Sequence, residues 1–271
     1  MTDSRLQHLK RAWEASGSVE DEAAYLRERV RAGELSQERL ELAAFLGDRP
    51  SQLLFPDELL LSLPQVATLT LLRVSQVRKW LKKGCPAASK QGRDSTFEAR
   101  ALFLWLTSGQ NDQPLLWVGY RLLGALLGAK VQFAGLRASA AALSRVLDRG
   151  GGFEHFQGRL EKTKDWLACP CADHEQTCRS TALEVLGHFV LGTWDPDVAM
   201  RYNDLSELLN EGAQALALQA AGYDGPVGEG VAAEAAFRCL AFVEPLEPPA
   251  ALRLCAETLL PWLLEGEKGE S

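Results

Sequence analysis

"QVATLTLLRVSQVRKWLKKGCPAASKQGRDSTFEARALFLWL", residues 65–106, is the stretch on which the organisation of the chain turns. Ser75 is placed to cap a helix running through Lys83, in which Val77 and Leu81 face inward and Trp80 flanks them. The spacing turns Arg78, Lys79, Lys82 and Lys83 outward, and Gly84 and Pro86 end the helix. A polar loop carrying Lys90 and Arg93 then leads to Phe97 and a second apolar helix. Upstream, Pro56 and Pro64 are expected to bound a short helix of their own. Residues 71–100 hold 8 basic and 2 acidic groups, against 8 and 12 in residues 1–70 and 13 and 22 in residues 111–271. A basic island therefore sits in a chain of net charge −7, suited to phosphates, to an acidic partner or to the protein's own acidic part.

The order of features in this stretch resembles the winged helix-turn-helix of phage terminase small subunits and excisionase-like proteins. In those proteins a "VS…VRKWLKKGCP" recognition helix precedes a basic, glycine-bearing wing and an "F…A…WL" helix. The resemblance implies that Gln76, Arg78, Lys79, Lys82 and Lys83 face DNA, with Lys90 and Arg93 on the wing meeting phosphates. The reading that needs no ligand is a basic helical hairpin docked on the acidic C-terminal region.

The first fifty residues read as three helices. Ser18 with Asp21 behind it opens "EDEAAYLRERVRA", acids in its first turn suiting the helix dipole, and Gly33 stops it. Ser36 caps "QERLELAAFL" and Gly47 closes it. Leu26, Val30, Leu40 and Phe45 are the expected core. "LKRAWEASGSVEDEAAYLRERVRAGELSQERLELAAFLGDRP", residues 9–50, is similar to the repeat-companion domain of large paralogous families in myxobacteria and planctomycetes, most specifically in "AGEL" and "ERLELAAFLG". That resemblance implies a bacterial family and no activity.

Beyond residue 110 the expected helices are 114–129, 136–149, 153–167, 173–192, 197–221, 229–242 and 248–265, with Asp195 and Pro196 marking one start. Alanine-rich runs such as "VAAEAAFRCLAF" favour helix and allow close packing. No strand-like alternation is sustained, so the expected class is all-α, a multi-helix bundle or an irregular α-solenoid with a small winged-helix-like basic module. The organisation expected is a three-helix module to residue 50, the basic module over 51–110, an alanine-rich helical domain over 111–265 and an acidic tail. "PLLWVGYRLLGALLGAKVQF" is broken by Arg121 and Lys130 and reads as a core helix rather than a membrane span. The N-terminal "MTDSRLQHLKRAWE" lacks the apolar core of a secretory signal, giving a cytoplasmic expectation with reduced cysteines.

One segment invites a chemical reading. "CPCADHEQTC", residues 169–178, offers Cys169, Cys171, His174 and Cys178, a ligand inventory sufficient for structural zinc, with His174 and Cys178 on one helical face. It faintly resembles the SEC-C zinc motif, which also begins "CPC", though the glycine-serine turn and the closing ligand pair are missing. A redox pair of Cys169 and Cys171 needs a lowered thiol pKa, which a helix N-terminus supplies, but no thioredoxin-like strand pattern accompanies it. The plainer reading is a helix boundary with Asp173 as N-cap and the cysteines as small buried hydrophobes. "RLEKTKDWLACPCADHEQTC" and "ALRLCAETLLPWLLEG" also resemble the C-terminal half of the myxobacterial families. "DRGGGFEHF" and "YDGPVGEG" lack a following Lys-Ser and read as helix connections.

No catalytic constellation is visible along the chain. The expected function is therefore a non-enzymatic helical adaptor with a protein partner, the alternatives being a DNA-binding regulator acting through residues 65–106 and a structural zinc or defence component.

Overall fold

The computed structural model describes residues 2–56, 59–91, 94–108, 113–149, 154–169, 173–174, 176–177, 225–244 and 246–265. Four helices open the chain: α1 (Thr2–Ser16), α2 (Val19–Arg31), α3 (Gln37–Leu46) and α4 (Arg49–Leu54). Their boundaries are chemical. Ser18, Ser36 and Asp48 each accept a backbone N–H from three residues on, satisfying donors that a helix start leaves orphaned. Gly47 ends α3 in the left-handed conformation, with φ 102°.

The basic island follows as β1 (Leu60–Ser62), α5 (Leu63–Thr70), α6 (Val74–Lys82), β2 (Ser89–Gln91), β3 (Asp94–Glu98) and α7 (Ala99–Thr107). The three strands form one antiparallel sheet in the order β1-β3-β2. Pro56 and Pro64 therefore do not bound a helix. Pro64 lies in the first turn of α5, where its missing N–H costs nothing, and an edge strand precedes it. The strands escape a periodicity argument because the longest has five residues.

The remaining described helices are α8 (Gln113–Lys130), α9 (Ala134–Arg149), α10 (Glu154–Ala168), α11 (Gly225–Val243) and α12 (Pro248–Glu265). All five fall where the sequence places them, to within a few residues. The chain is all-α with one small sheet, and among the described residues no helix is long and apolar enough to cross a membrane. The expected helix 197–221, most of 173–192 and Asp195 lie outside the described residues. The start of α11 departs from expectation: "GPVGEG" is helical, not a connection.

One core runs from Leu42 in α3 to Leu263 in α12 and includes the basic module through Val66, Val77, Trp80, Phe97 and Phe103. Its densest part is where α8, α9 and α11 meet. Tyr120 stacks on Phe237 at 5.2 Å between centroids, and glycines bring the backbones together. A Cβ on Gly124 would stand 2.2 Å from the Ala233 Cβ, and one on Gly135 would stand 2.4 Å from the Gly124 carbonyl oxygen, so neither position has room for a side chain.

Into this contact α11 places Glu229, only 5% exposed. Its carboxylate accepts the N–H groups of Phe133 at 3.0 Å and Gly135 at 2.8 Å, with a longer bond from Leu136. It thereby caps the N-terminus of α9 from a different helix. Burial nevertheless outweighs these bonds and pushes its carboxyl up to about 7.

The N-terminal helices are tied to the far end of the chain. Arg29 of α2 donates to the Leu264 and Glu265 carbonyls and Arg39 of α3 to that of Trp262 at 2.7 Å, so two arginines satisfy the last carbonyls of α12. Leu26, Leu35 and Leu40 form a smaller core, against which Val30 packs partly buried, while Phe45 belongs to the main one.

Candidate nucleic-acid interface

The candidate interface is built on the pair α5 and α6. α5 starts in a capping box: Ser62 Oγ accepts from Gln65 N, and Gln65 Oε1 accepts from Ser62 N at 2.8 Å. It ends at Leu71, left-handed at φ 57°, where the Leu72 N–H returns to the Ala67 carbonyl at 2.9 Å. That closure reverses the chain within three residues and delivers it to α6. A leucine in this conformation carries strain that glycine would not.

Ser75 does not cap α6. The helix begins one residue before it, with Arg73 as N-cap, and the Arg73 N–H donates to Gln76 Oε1 at 2.9 Å. Gln76 thus closes the helix start through its amide oxygen and is only half-exposed, a structural duty beside the DNA-facing one expected of it. The inward face differs too. Val77 and Trp80 are buried, Trp80 at 4% exposure, while Leu81 lies at the margin. Trp80 packs on Trp105 of α7 at 6.2 Å, so the indole is an anchor of the recognition-like helix rather than a flank. Burying these two side chains contributes roughly 2 kcal/mol each.

With that face fixed, Ser75, Arg78, Lys79, Lys82 and Lys83 stand exposed. Positions 75, 78, 79 and 82 follow the three- and four-residue spacing of a single helical stripe. Among the described residues no carboxylate pairs with Arg78, Lys79 or Lys82, and α6 packs on α5 rather than against an acidic helix. Arg73, not among the residues expected to face DNA, is exposed at the N-terminal end of the same helix. Its membership of the basic island is the only sequence signal that marks it.

Gly84, at φ 87°, turns the chain out of α6. Cys85 is buried beneath that turn, its N–H bonded to the Trp80 carbonyl at 3.0 Å, and burial pushes its thiol up to about 12. It is a packing residue and no nucleophile. β2 and β3 then form a hairpin in the register Ser89↔Thr96, Lys90↔Ser95 and Gln91↔Asp94. Lys90 therefore occupies the middle of an edge strand rather than a loop. Arg93 lies outside the described residues.

Arg121 of α8 joins the module to the body. Its Nη1 donates to the Thr70 carbonyl at 3.2 Å, at the end of α5, while its Nε reaches Glu234 of α11 at 2.6 Å. An arginine inside what reads as a hydrophobic run thus adds a polar tie between α5 and the helical core that its apolar side chains already join.

The cysteine-rich segment is only partly described. Cys171 and Cys178 lie outside the described residues. Cys169 is exposed rather than a buried hydrophobe, and the His174 Nδ1 lies 3.0 Å from the Cys169 carbonyl oxygen. Asp173 is already helical, so it is not the N-cap, and its carbonyl accepts the Thr177 hydroxyl at 3.0 Å. Among the described residues no group of three or more His, Cys, Asp or Glu side chains is arranged to hold a metal.

No family model, curated protein or solved structure matches the chain significantly. The functional reading accordingly rests on the geometry of α5, α6 and the hairpin.

Proposed function

We propose that this protein binds duplex DNA, with α6 lying in the major groove and the β2–β3 hairpin against the adjoining backbone. The observation that carries the reading is the exposed stripe Arg78, Lys79, Lys82 on a helix whose opposite face is pinned by Val77 and Trp80. A helix fixed on one side and cationic on the other is what a groove lined by phosphates requires. The connection order strand, helix, turn, helix, hairpin supports it, since Lys90 lies in the first strand after α6. The residues proposed to contact DNA are Arg73, Arg78, Lys79, Lys82 and Lys83, with Lys90 of β2 and, next along the sequence, Arg93.

The rest of the chain, acidic in sum, limits attraction to DNA at large and confines it to this face. Fluorescence anisotropy with a labelled 25-base-pair duplex at low salt tests the reading. The full chain is expected to bind, and Lys79→Glu with Lys82→Glu to weaken binding on unrelated sequences alike. Absence of binding at 20 mM salt removes it.

A second reading, a helical protein-interaction module, is favoured by one feature. A cavity of about 640 Å³ between α3, α4 and β1 is lined by Leu54, Phe55 and Leu59, and Leu60 at its margin is 53% exposed. Under that reading Leu60→Asp abolishes co-purification of a native partner and leaves DNA binding unchanged.

A further inference from the structure

A second cavity of about 640 Å³ opens between α9, α10 and α12, far in sequence from α5 and α6, and four of the five charged residues that line it are cations. Arg137, Arg145 and Arg149 come from α9, at positions separated by multiples of four, and Lys164 comes from α10. Ser144 and Thr258 add hydroxyls. This concentration of positive charge occurs in the most acidic stretch of the chain, residues 111–271.

Most of these cations are answered. Glu244 takes both Arg145, at 2.8 Å, and Arg149, while Glu161 takes Lys164 at 2.8 Å. Asp148 also lines the cavity. Arg137 is the exception. Its Nη2 donates to the Leu167 carbonyl, and its guanidinium lies 4.3 Å from the centroid of the Trp262 ring. Its Nε is buried with no hydrogen-bond partner, and among the described residues no carboxylate pairs with it. Arg39 stands 4.9 Å from the same ring centroid, so a second cation adjoins it. Burial, with the like charge of Arg39 behind it, holds the Arg137 guanidinium below the usual arginine range. A part-buried cation beside another cation, with a donor left over, is costly unless an anion is supplied.

We propose that this cavity binds a phosphorylated small molecule, its phosphate received by Arg137, Arg145 and Lys164 and its uncharged part lying against Leu167 and Leu254. Guanidinium forks match the oxygens of phosphate, and three cations lining one cavity, two of them able to exchange a carboxylate for the ligand, suit a dianion better than a single carboxylate. The volume lies within the range of sites for small organic ligands and far exceeds a bare phosphate. The site is independent of the DNA-binding reading and uses none of its residues.

Isothermal titration of the full chain with pyrophosphate, and in parallel with citrate at equal ionic strength, tests it. The expected result is saturable binding of pyrophosphate that Lys164→Gln and Arg145→Gln each weaken at least ten-fold, with thermal melts matching wild type. Lys79→Glu with Lys82→Glu should leave that binding unchanged. No saturable pyrophosphate signal overturns the proposal. So does a weakening caused by the α6 variant instead, which moves the phosphate to the DNA face, or citrate binding as tight as pyrophosphate, which removes the phosphate class.

Discussion

Two regions of this molecule handle charge in opposite ways. The helix α6 presents cations on a face that nothing described covers, and buried Val77 and Trp80, with Val74 and Leu81 at the margin, hold it in place. The junction of α8, α9 and α11 buries a single carboxylate, Glu229, inside backbone contacts so close that glycine is required at Gly124 and Gly135. The first region turns its charge outward to solvent. The second absorbs its charge in the backbone of a neighbouring helix and is built to stay closed.

The most severe way to break the comparison is to open the closed region. Gly124→Ala forces a methyl against the Ala233 Cβ and the Glu229 carbonyl oxygen, and overpacking at an unyielding site is expected to cost about 3 kcal/mol. Urea unfolding checks this, and the fraction still folded should bind DNA with wild-type affinity. A smaller effect comes from titration of Glu229. Its folded-state carboxyl is raised from 4.5 to about 7, so its stabilising contribution is complete below pH 4.5 and is lost as pH rises through about 7. Wild-type stability relative to Glu229→Gln should therefore fall by about 2 kcal/mol between pH 4.5 and 8, read from urea midpoints at the two pH values. An equal pH profile for both proteins would falsify the buried-carboxylate account. The smallest effect belongs to the open region: Leu71→Gly relieves the left-handed turn before α6 and should stabilise by about 0.5–1 kcal/mol, with DNA binding retained if the turn's path is preserved.

What the sequence makes legible follows the same division. Helix boundaries set by local chemistry, such as Ser18, Ser36 and Gly47, are readable because their partners lie within a few residues. The outward face of α6 is readable for the same reason, since helical periodicity separates Val77 from Arg78 and Lys79. The depth of Trp80 is not, because periodicity alone cannot say which neighbour is waiting, here Trp105 of α7. Ser75 yields the cap to Arg73 because Gln76 turns back on the backbone instead of pointing out. The strands β1, β2 and β3 are too short to alternate. Glu229 is invisible for a different reason: its donors lie more than ninety residues away, and "GPVGEG" looks like a loop unless α8 is known to press against it. The cysteine-rich segment draws notice through composition, yet Cys169 is exposed and His174 faces a backbone carbonyl.

The central claim is that the α6 stripe binds DNA by neutralising phosphates, and its most direct test is the salt dependence of duplex affinity. Plotted as the logarithm of the association constant against that of the salt concentration, the wild-type protein should give a line with a slope of about −4 to −6. Lys79→Glu with Lys82→Glu should flatten that slope by about 2, one for each phosphate left without its lysine. A wild-type affinity that does not change with salt, or a double variant with the wild-type slope, contradicts the account.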